Sequence, residues 1–136
     1  KSAAPAFIKT NSGKSFSLSP NAQLVQRIDF QFEGDVCHLG INIAADSFHF
    51  DFGAGKWLFG QTAKRPPALT QGAMGYFAGA YRWTDANTLE LTLRYIESPH
   101  TETLICHFDK NAVSIDYSNS AQKSKTHVWK GTLVAR

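Results

Sequence analysis

Between Phe77 and Tyr117 the chain runs through four successive strand-like segments, each closed by a turn. The clearest is Leu89, Leu91, Leu93 and Tyr95 alternating with Glu90, Thr92 and Arg94. Side chains alternate across a strand, so a period of two places one set inward and the other in water. Turn residues punctuate the segments: Asp85-Ala86-Asn87, Ser98-Pro99-His100 and Asp109-Lys110-Asn111. A chain with this pattern is committed to antiparallel sheet.

The same pattern extends upstream. Ile28, Phe30 and Phe32 alternate with Arg27, Asp29 and Gln31, and Cys37, Leu39, Ile41 and Ile43 with His38, Gly40 and Asn42. The turn Glu33-Gly34-Asp35 joins these two runs into a hairpin. Phe48, Phe50 and Phe52 follow, then a short run Lys56–Phe59 carrying Trp57. Ser15–Leu18 opens the series and His127–Val134, with Trp129, closes it. Gln61–Gly75 holds Pro66-Pro67 and reads as a long surface loop. No segment sustains a helical period, and no strand-helix-strand alternation argues for a parallel sheet. The expectation is an all-β domain of about 8–10 short strands, a single antiparallel barrel, with a β-sandwich as the alternative because both produce the same alternation. Residues 13–136 form this domain and residues 1–12 an irregular arm or linker remnant. The inward set is expected to be Ile28, Phe30, Phe32, Cys37, Leu39, Ile41, Phe48, Phe50, Leu89, Leu91, Leu93, Val113 and Ile115.

At 136 residues, 43% apolar and 18% charged, the chain is one globular domain with enough length to bury a core. The net charge of +3 is scattered, with a mild cluster at Lys123, Lys125 and Lys130. Nucleic-acid binders show a basic stripe and a recognisable module, and neither is present. No apolar run has the length of a membrane span. The opening KSAAPAF carries no signal-peptide pattern and no initiator Met, so the chain reads as a processed protein or a piece of something longer. Cys37 and Cys106 are too few for a disulfide scaffold. They either pair, if their strands are neighbours, or serve as small buried hydrophobes.

Catalytic and metal chemistry finds no footing. Cys37-His38 and Cys106-His107 echo one another, but adjacent strand residues face opposite ways and cannot share one ion. Tyr117–His127 (YSNSAQKSKTH) compresses Tyr-x-Asn, Ser-x-x-Lys and a near Lys-Thr-Gly into eleven residues. A serine acyl-enzyme needs these on separate elements converging on one another, so the cluster reads as chance. Asp29, Asp51, Glu90 and Asp116 occupy outward positions, unlike a pair of carboxylates facing one cleft. No catalytic residue, metal ligand or cofactor site is assigned. The aromatics are the one site-like feature. Trp57, Tyr81, Trp83 and Trp129, with Tyr95, suit a barrel mouth or a sugar-binding face, although core packing is the commoner use of such rings. Trp57, Tyr81, Trp83 and Trp129 are the ligand-lining candidates.

Several phrases resemble a known family. They are Gly79-Ala-Tyr-Arg-Trp83 with Thr84-Asp85-x-Asn87-Thr88-Leu89-Glu90-Leu91, and Arg94-Tyr-Ile-Glu-Ser-Pro-His-Thr-Glu-Thr103 with Cys106-His-Phe108. Phe30-Gln-Phe-Glu-Gly-Asp35 with Cys37, and Phe52-Gly-Ala-Gly-Lys-Trp57 with Gly60 and Thr62, belong to the same likeness. Together these phrases, over roughly residues 20 to 118, resemble the C-terminal domain appended to bacterial serine hydrolases of the β-lactamase-related, class C-like family. The resemblance implies a lipocalin-like barrel that catalyses nothing and packs on, or shapes access to, a hydrolase domain of the same polypeptide. It also implies a periplasmic or secreted bacterial protein. The alternative is a free-standing lipocalin-like barrel that binds a small apolar ligand. On that partner reading, the Gln61–Gly75 loop with Leu69, Met74 and Tyr76 is the expected docking surface.

Overall fold

The computed structural model describes residues 13–43, 46–61, 76–95, 101–120 and 126–134. Ten strands follow in order: β1 (Lys14–Leu18), β2 (Val25–Glu33), β3 (Val36–Ile43), β4 (Asp46–Ala54), β5 (Leu58–Gln61), β6 (Tyr76–Asp85), β7 (Thr88–Tyr95), β8 (Thr101–Asp109), β9 (Ala112–Asn119) and β10 (His127–Leu133). The arm at 1–12 and most of the 61–75 loop, with Leu69 and Met74, lie outside the described residues, as does the side chain of Tyr76.

The strands form a meander in which β1 sits between β2 and β10, and each neighbour along β4-β3-β2-β1-β10-β9-β8-β7-β6 is antiparallel. The ring closes where β4 meets β6, at Gly53↔Ala80 and Ala54↔Tyr81, and this pairing is parallel. The reason is parity. Strand β5 is a short addition that pairs only with β6, from Leu58↔Gly79 to Gln61↔Tyr76, on the mouthward stretch of the edge that β4 meets at Ala80 and Tyr81. Nine alternating strands remain, and an odd ring must contain one parallel pair. Closure removes the sandwich alternative and makes the barrel mixed at this one seam. The seam is tight. A Cβ on Gly79 would fall 2.5 Å from the Asp51 carbonyl oxygen and 2.9 Å from the Phe52 ring, so only glycine lets β6 approach β4 this closely.

The two ends differ. At one, two-residue turns join β2 to β3 (Gly34-Asp35), β6 to β7 (Ala86-Asn87) and β8 to β9 (Lys110-Asn111). Gly34 and Lys110 take the left-handed φ values, 59° and 55°, that such turns require. Asp85 accepts the Asn87 N–H at 2.8 Å, holding the second turn. At the other end the connections are 19–24, 44–45, 62–75, 96–100 and 120–126. The turn end is the base of the barrel and the other its mouth.

The period-two reading of the core holds. Ile28, Phe30, Cys37, Leu39, Ile41, Phe48, Phe50, Leu89, Leu91, Leu93, Val113 and Ile115 are all buried, and Phe32 is partly buried against them. Each fully buried side chain of this size contributes about 1.5–3 kcal/mol on transfer from water. The base is packed with rings. Phe30 meets Phe108 at 5.2 Å and Phe16 at 6.0 Å, both edge-on, while Phe32 meets Tyr81 at 5.6 Å and Trp83 at 5.8 Å. These offset and T-shaped contacts add about 0.5–1.5 kcal/mol each beyond area.

Candidate functional site

The outer wall holds charges that satisfy one another. Arg82 bonds Glu90 across β6 and β7 at 2.6 Å, and Arg27 bonds Asp29 at 3.3 Å. His38 bonds Asp51 at 2.7 Å and Glu33 at 3.2 Å, and His107 bonds Asp116 at 3.2 Å. The Cys-His echo therefore has a structural meaning. In both copies the cysteine is buried in the interior while the histidine sits outside and holds an aspartate on the next strand. The Asp51 hydrogen bond raises the His38 pKa, and the Asp51 charge and Glu33 add to the rise, against a smaller lowering by burial. The two thiols are free, and burial pushes both upward. Among the described residues no group of three or more His, Cys, Asp or Glu is placed to hold a metal ion.

The interior lining carries the chemistry. Of the four ring candidates, Tyr81, Trp83 and Trp129 are buried, at 6%, 8% and 1% exposure. Trp57 is 43% exposed in the β4–β5 connection, in phase with the exposed Phe59 of β5 and so turned away from the interior. The remaining three are not neighbours. Tyr81 and Trp83 pack with Phe32 at the base, while Trp129 stands two residues into β10 from its His127 start, toward the mouth. The Tyr95 side chain lies outside the described part.

Around Trp129 the lining becomes polar. Its ring stacks on Tyr117 at 5.2 Å and 16°, and its Nε1–H donates to Gln23 Oε1 at 2.9 Å. Asn119 Nδ2 donates to the Tyr117 hydroxyl oxygen at 3.2 Å, and that hydroxyl bonds the carboxylate of Glu102. Glu102 is 1% exposed and, among the described residues, is the one charged side chain that is buried. It stands on β8 between Leu93 of β7 and Asn119 of β9, in phase with Leu104, Cys106 and Phe108. Burial first, then the Glu102 charge, drives the Tyr117 pKa well above the phenol range.

Sequence reasoning missed Glu102, which lies two residues past the Ser98-Pro99-His100 turn. The signal was present, since Glu102, Leu104, Cys106 and Phe108 share one alternation. It also missed the rim. Leu24 is 65% exposed with φ 63°, in a turn where Asn21 clamps both backbone groups of Val25, at 3.0 and 2.7 Å. Only part of the Tyr117–His127 cluster is described. Tyr117 faces inward, Ser120 Oγ accepts the Thr101 N–H at 3.0 Å, and residues 121–125 lie outside the described part.

No protein-family model matches the chain, and no curated protein matches it in sequence. Solved structures do. A fatty acid-binding protein from the brain tissue of Drosophila melanogaster matches with TM-score 0.63 and 13% identity, over 89% of this chain and 98% of its own. The Schistosoma mansoni fatty acid binding protein in complex with arachidonic acid gives 0.66 and 11%, over 94% and 98%. Echinococcus granulosus fatty-acid-binding protein 1 gives 0.66 and 9%, over 93% and 99%. Identities this low show the fold, a lipocalin-like barrel. They also overturn the likeness to an accessory domain of a β-lactamase-related serine hydrolase. The matched chains are barrels over nearly their whole length rather than appendages of a hydrolase. The expected role of packing on a hydrolase domain, and that domain as partner, fall with it.

Proposed function

We propose that this chain is a lipocalin-like barrel that takes a small apolar ligand into its interior and catalyses nothing. The observation that carries the reading is the inward face itself. Among the described residues it is apolar from the ring-packed base toward the mouth, apart from a polar cluster at Glu102, Tyr117, Asn119, Trp129 and Gln23. Sites for small molecules have this composition, mostly apolar with a few placed polar groups that orient the ligand. The fold shared with fatty-acid-binding proteins supports the same reading. Tyr81, Trp83 and Trp129 are the ring candidates that remain as ligand neighbours, while Trp57 stands outside. The outward, ion-paired carboxylates support the absence of catalysis.

The test is a titration of delipidated protein with Nile red, a neutral apolar dye, read by dye emission and by tryptophan emission. Saturable binding at about one dye per barrel is expected. Trp129→Phe should change the tryptophan response, and Trp57→Phe should leave the binding curve in place. Failure to saturate, or dye binding abolished by Trp57→Phe alone, would refute an interior site.

A further inference from the structure

We propose that the outer wall carries a site for a flat cation, a guanidinium group, in the groove over Gly40 between the carboxylate of Asp29 and the imidazole of His49. The groove lies on the far side of the wall from the core and does not depend on the interior ligand.

Strand register builds it. Ser15, Asp29, Gly40 and His49 stand opposite one another in a single row across β1, β2, β3 and β4. They alternate with the buried Phe16, Phe30, Leu39 and Phe48, so the row faces outward. The position on β3 carries no side chain, and a groove of about 280 Å³ lies there. Gln31 and His38, the next pair along β2 and β3, line it as well. A Cβ on Gly40 would lie 3.1 Å from Asp29 Oδ2 and 3.6 Å from His49 Cε1, so both side chains lean over the glycine from the strands on either side. Asp29 bonds Arg27 through Oδ1 at 3.3 Å, which leaves Oδ2 as the oxygen over Gly40. His38 bonds Asp51 and Glu33 through its two ring nitrogens, so it walls the groove rather than donating into it.

The chemistry of the walls selects the guest. Two groups on strands either side of a glycine flank a guest rather than converge on one centre, and among the described residues no three ligands are placed to hold a metal ion. A guanidinium meets both walls. Its N–H fork donates to a carboxylate oxygen and its flat face stacks on a planar ring. An ammonium group also donates but has no flat face. Gln31 and Ser15 border the groove with further acceptor oxygens. Asp29, Glu33 and Asp51 stand on this wall with Arg27 and His38, a balance that favours a cation over an anion. Asp29 is half in water, so affinity is of the order of millimolar.

The experiment is a titration of the full isotope-labelled chain with ethylguanidinium, ethylammonium and zinc chlorides, read by backbone amide shifts. Ethylguanidinium should shift the amides of Asp29, Gly40 and His49 saturably, and bind about threefold or more tightly than ethylammonium. Asp29→Asn should weaken it about fivefold, and Gly40→Ala, whose methyl group enters the groove, by a similar factor. His49→Ala should weaken it and His49→Phe should keep it, because the ring and not its nitrogens forms the wall. Arg27→Gln should tighten it by removing a neighbouring cation. Glu90→Gln, on β7, should change nothing, and circular dichroism verifies that each variant folds. A blocked arginine peptide that binds more tightly than ethylguanidinium identifies the guest as an arginine side chain, and equal or weaker binding identifies a free small guanidine. Four results would each overturn the assignment: shifts that never saturate, binding unchanged in Asp29→Asn, a preference for ethylammonium, or tighter binding of zinc at the same amides that His49→Phe abolishes.

Discussion

Gly79→Ala is the sharpest test of how the barrel closes. The added Cβ would lie 2.5 Å from the Asp51 carbonyl oxygen and 2.9 Å from Cδ2 of Phe52. The oxygen belongs to a backbone paired through β4 to β3, so it cannot swing aside as a side chain can. To reach ordinary contact, β6 must retreat from β4 by about 0.9 Å. Overpacking of this kind costs about 1–3 kcal/mol. Loosening the seam pairs Gly53↔Ala80 and Ala54↔Tyr81, with the Gly55 N–H bond to the Tyr81 carbonyl at 3.0 Å, adds about 1 kcal/mol. The total is about 2–4 kcal/mol. With an unfolding entropy of roughly 0.3 kcal/mol/K for a chain of 136 residues, Tm should fall by about 7–14 °C. Circular dichroism melting measures the shift, and hydrogen exchange at Gly55 locates it. The control is Gly40→Ala, whose Cβ would meet the Asp29 Oδ2 at 3.1 Å. That carboxylate is the far end of a flexible surface side chain, so the cost should stay below about 1 kcal/mol. If Gly79→Ala melts within about 2 °C of the parent, with Gly55 exchange unchanged, then β4 and β6 do not meet as described.

Leu91→Ala should cost about 2–5 kcal/mol in urea unfolding, because Leu91 is 0% exposed between Tyr81 and Leu104. Glu90→Ala, which removes only the surface pair with Arg82, should cost under about 1 kcal/mol, and equal costs at the two positions would contradict the register. His38 has a folded pKa raised above its unfolded value, chiefly by its bond to Asp51. Its contribution is therefore complete below the unfolded pKa of about 6.5 and disappears as pH climbs through the folded pKa. His38→Ala should thus destabilise more at pH 6 than at pH 9, by less than about 1 kcal/mol because the pair is half in water, and a difference that does not vary with pH would contradict this. Cys37 and Cys106, buried and with raised pKa values, should resist a thiol reagent at pH 8 in the folded protein and react at once in denaturant. Rapid labelling of the native chain would place a thiol at the surface.

The strands were legible in the sequence because alternation is a local property of the pleat. Leu89, Leu91 and Leu93 must share a face whatever surrounds them, and Cys37 and His38 must not. The inward set followed from that rule, as did the outward carboxylates and the turns at Gly34 and Asn87. Short phrases carried no such constraint, and the likeness they suggested to a hydrolase appendage was misleading, since a few residues of similar wording do not report which strands pair. Barrel closure depends on which edges meet after the accumulated twist of nine strands, and no local pattern encodes that meeting. Two consequences were therefore settled only in three dimensions. Trp57, in sequence a ring like the others, is turned outward in phase with Phe59, while Glu102, in sequence an ordinary acid beside a turn, faces inward in phase with Leu104, Cys106 and Phe108. The alternation of β8 contained Glu102's orientation, but only the walls contributed by β7 and β9 make that position a buried carboxylate.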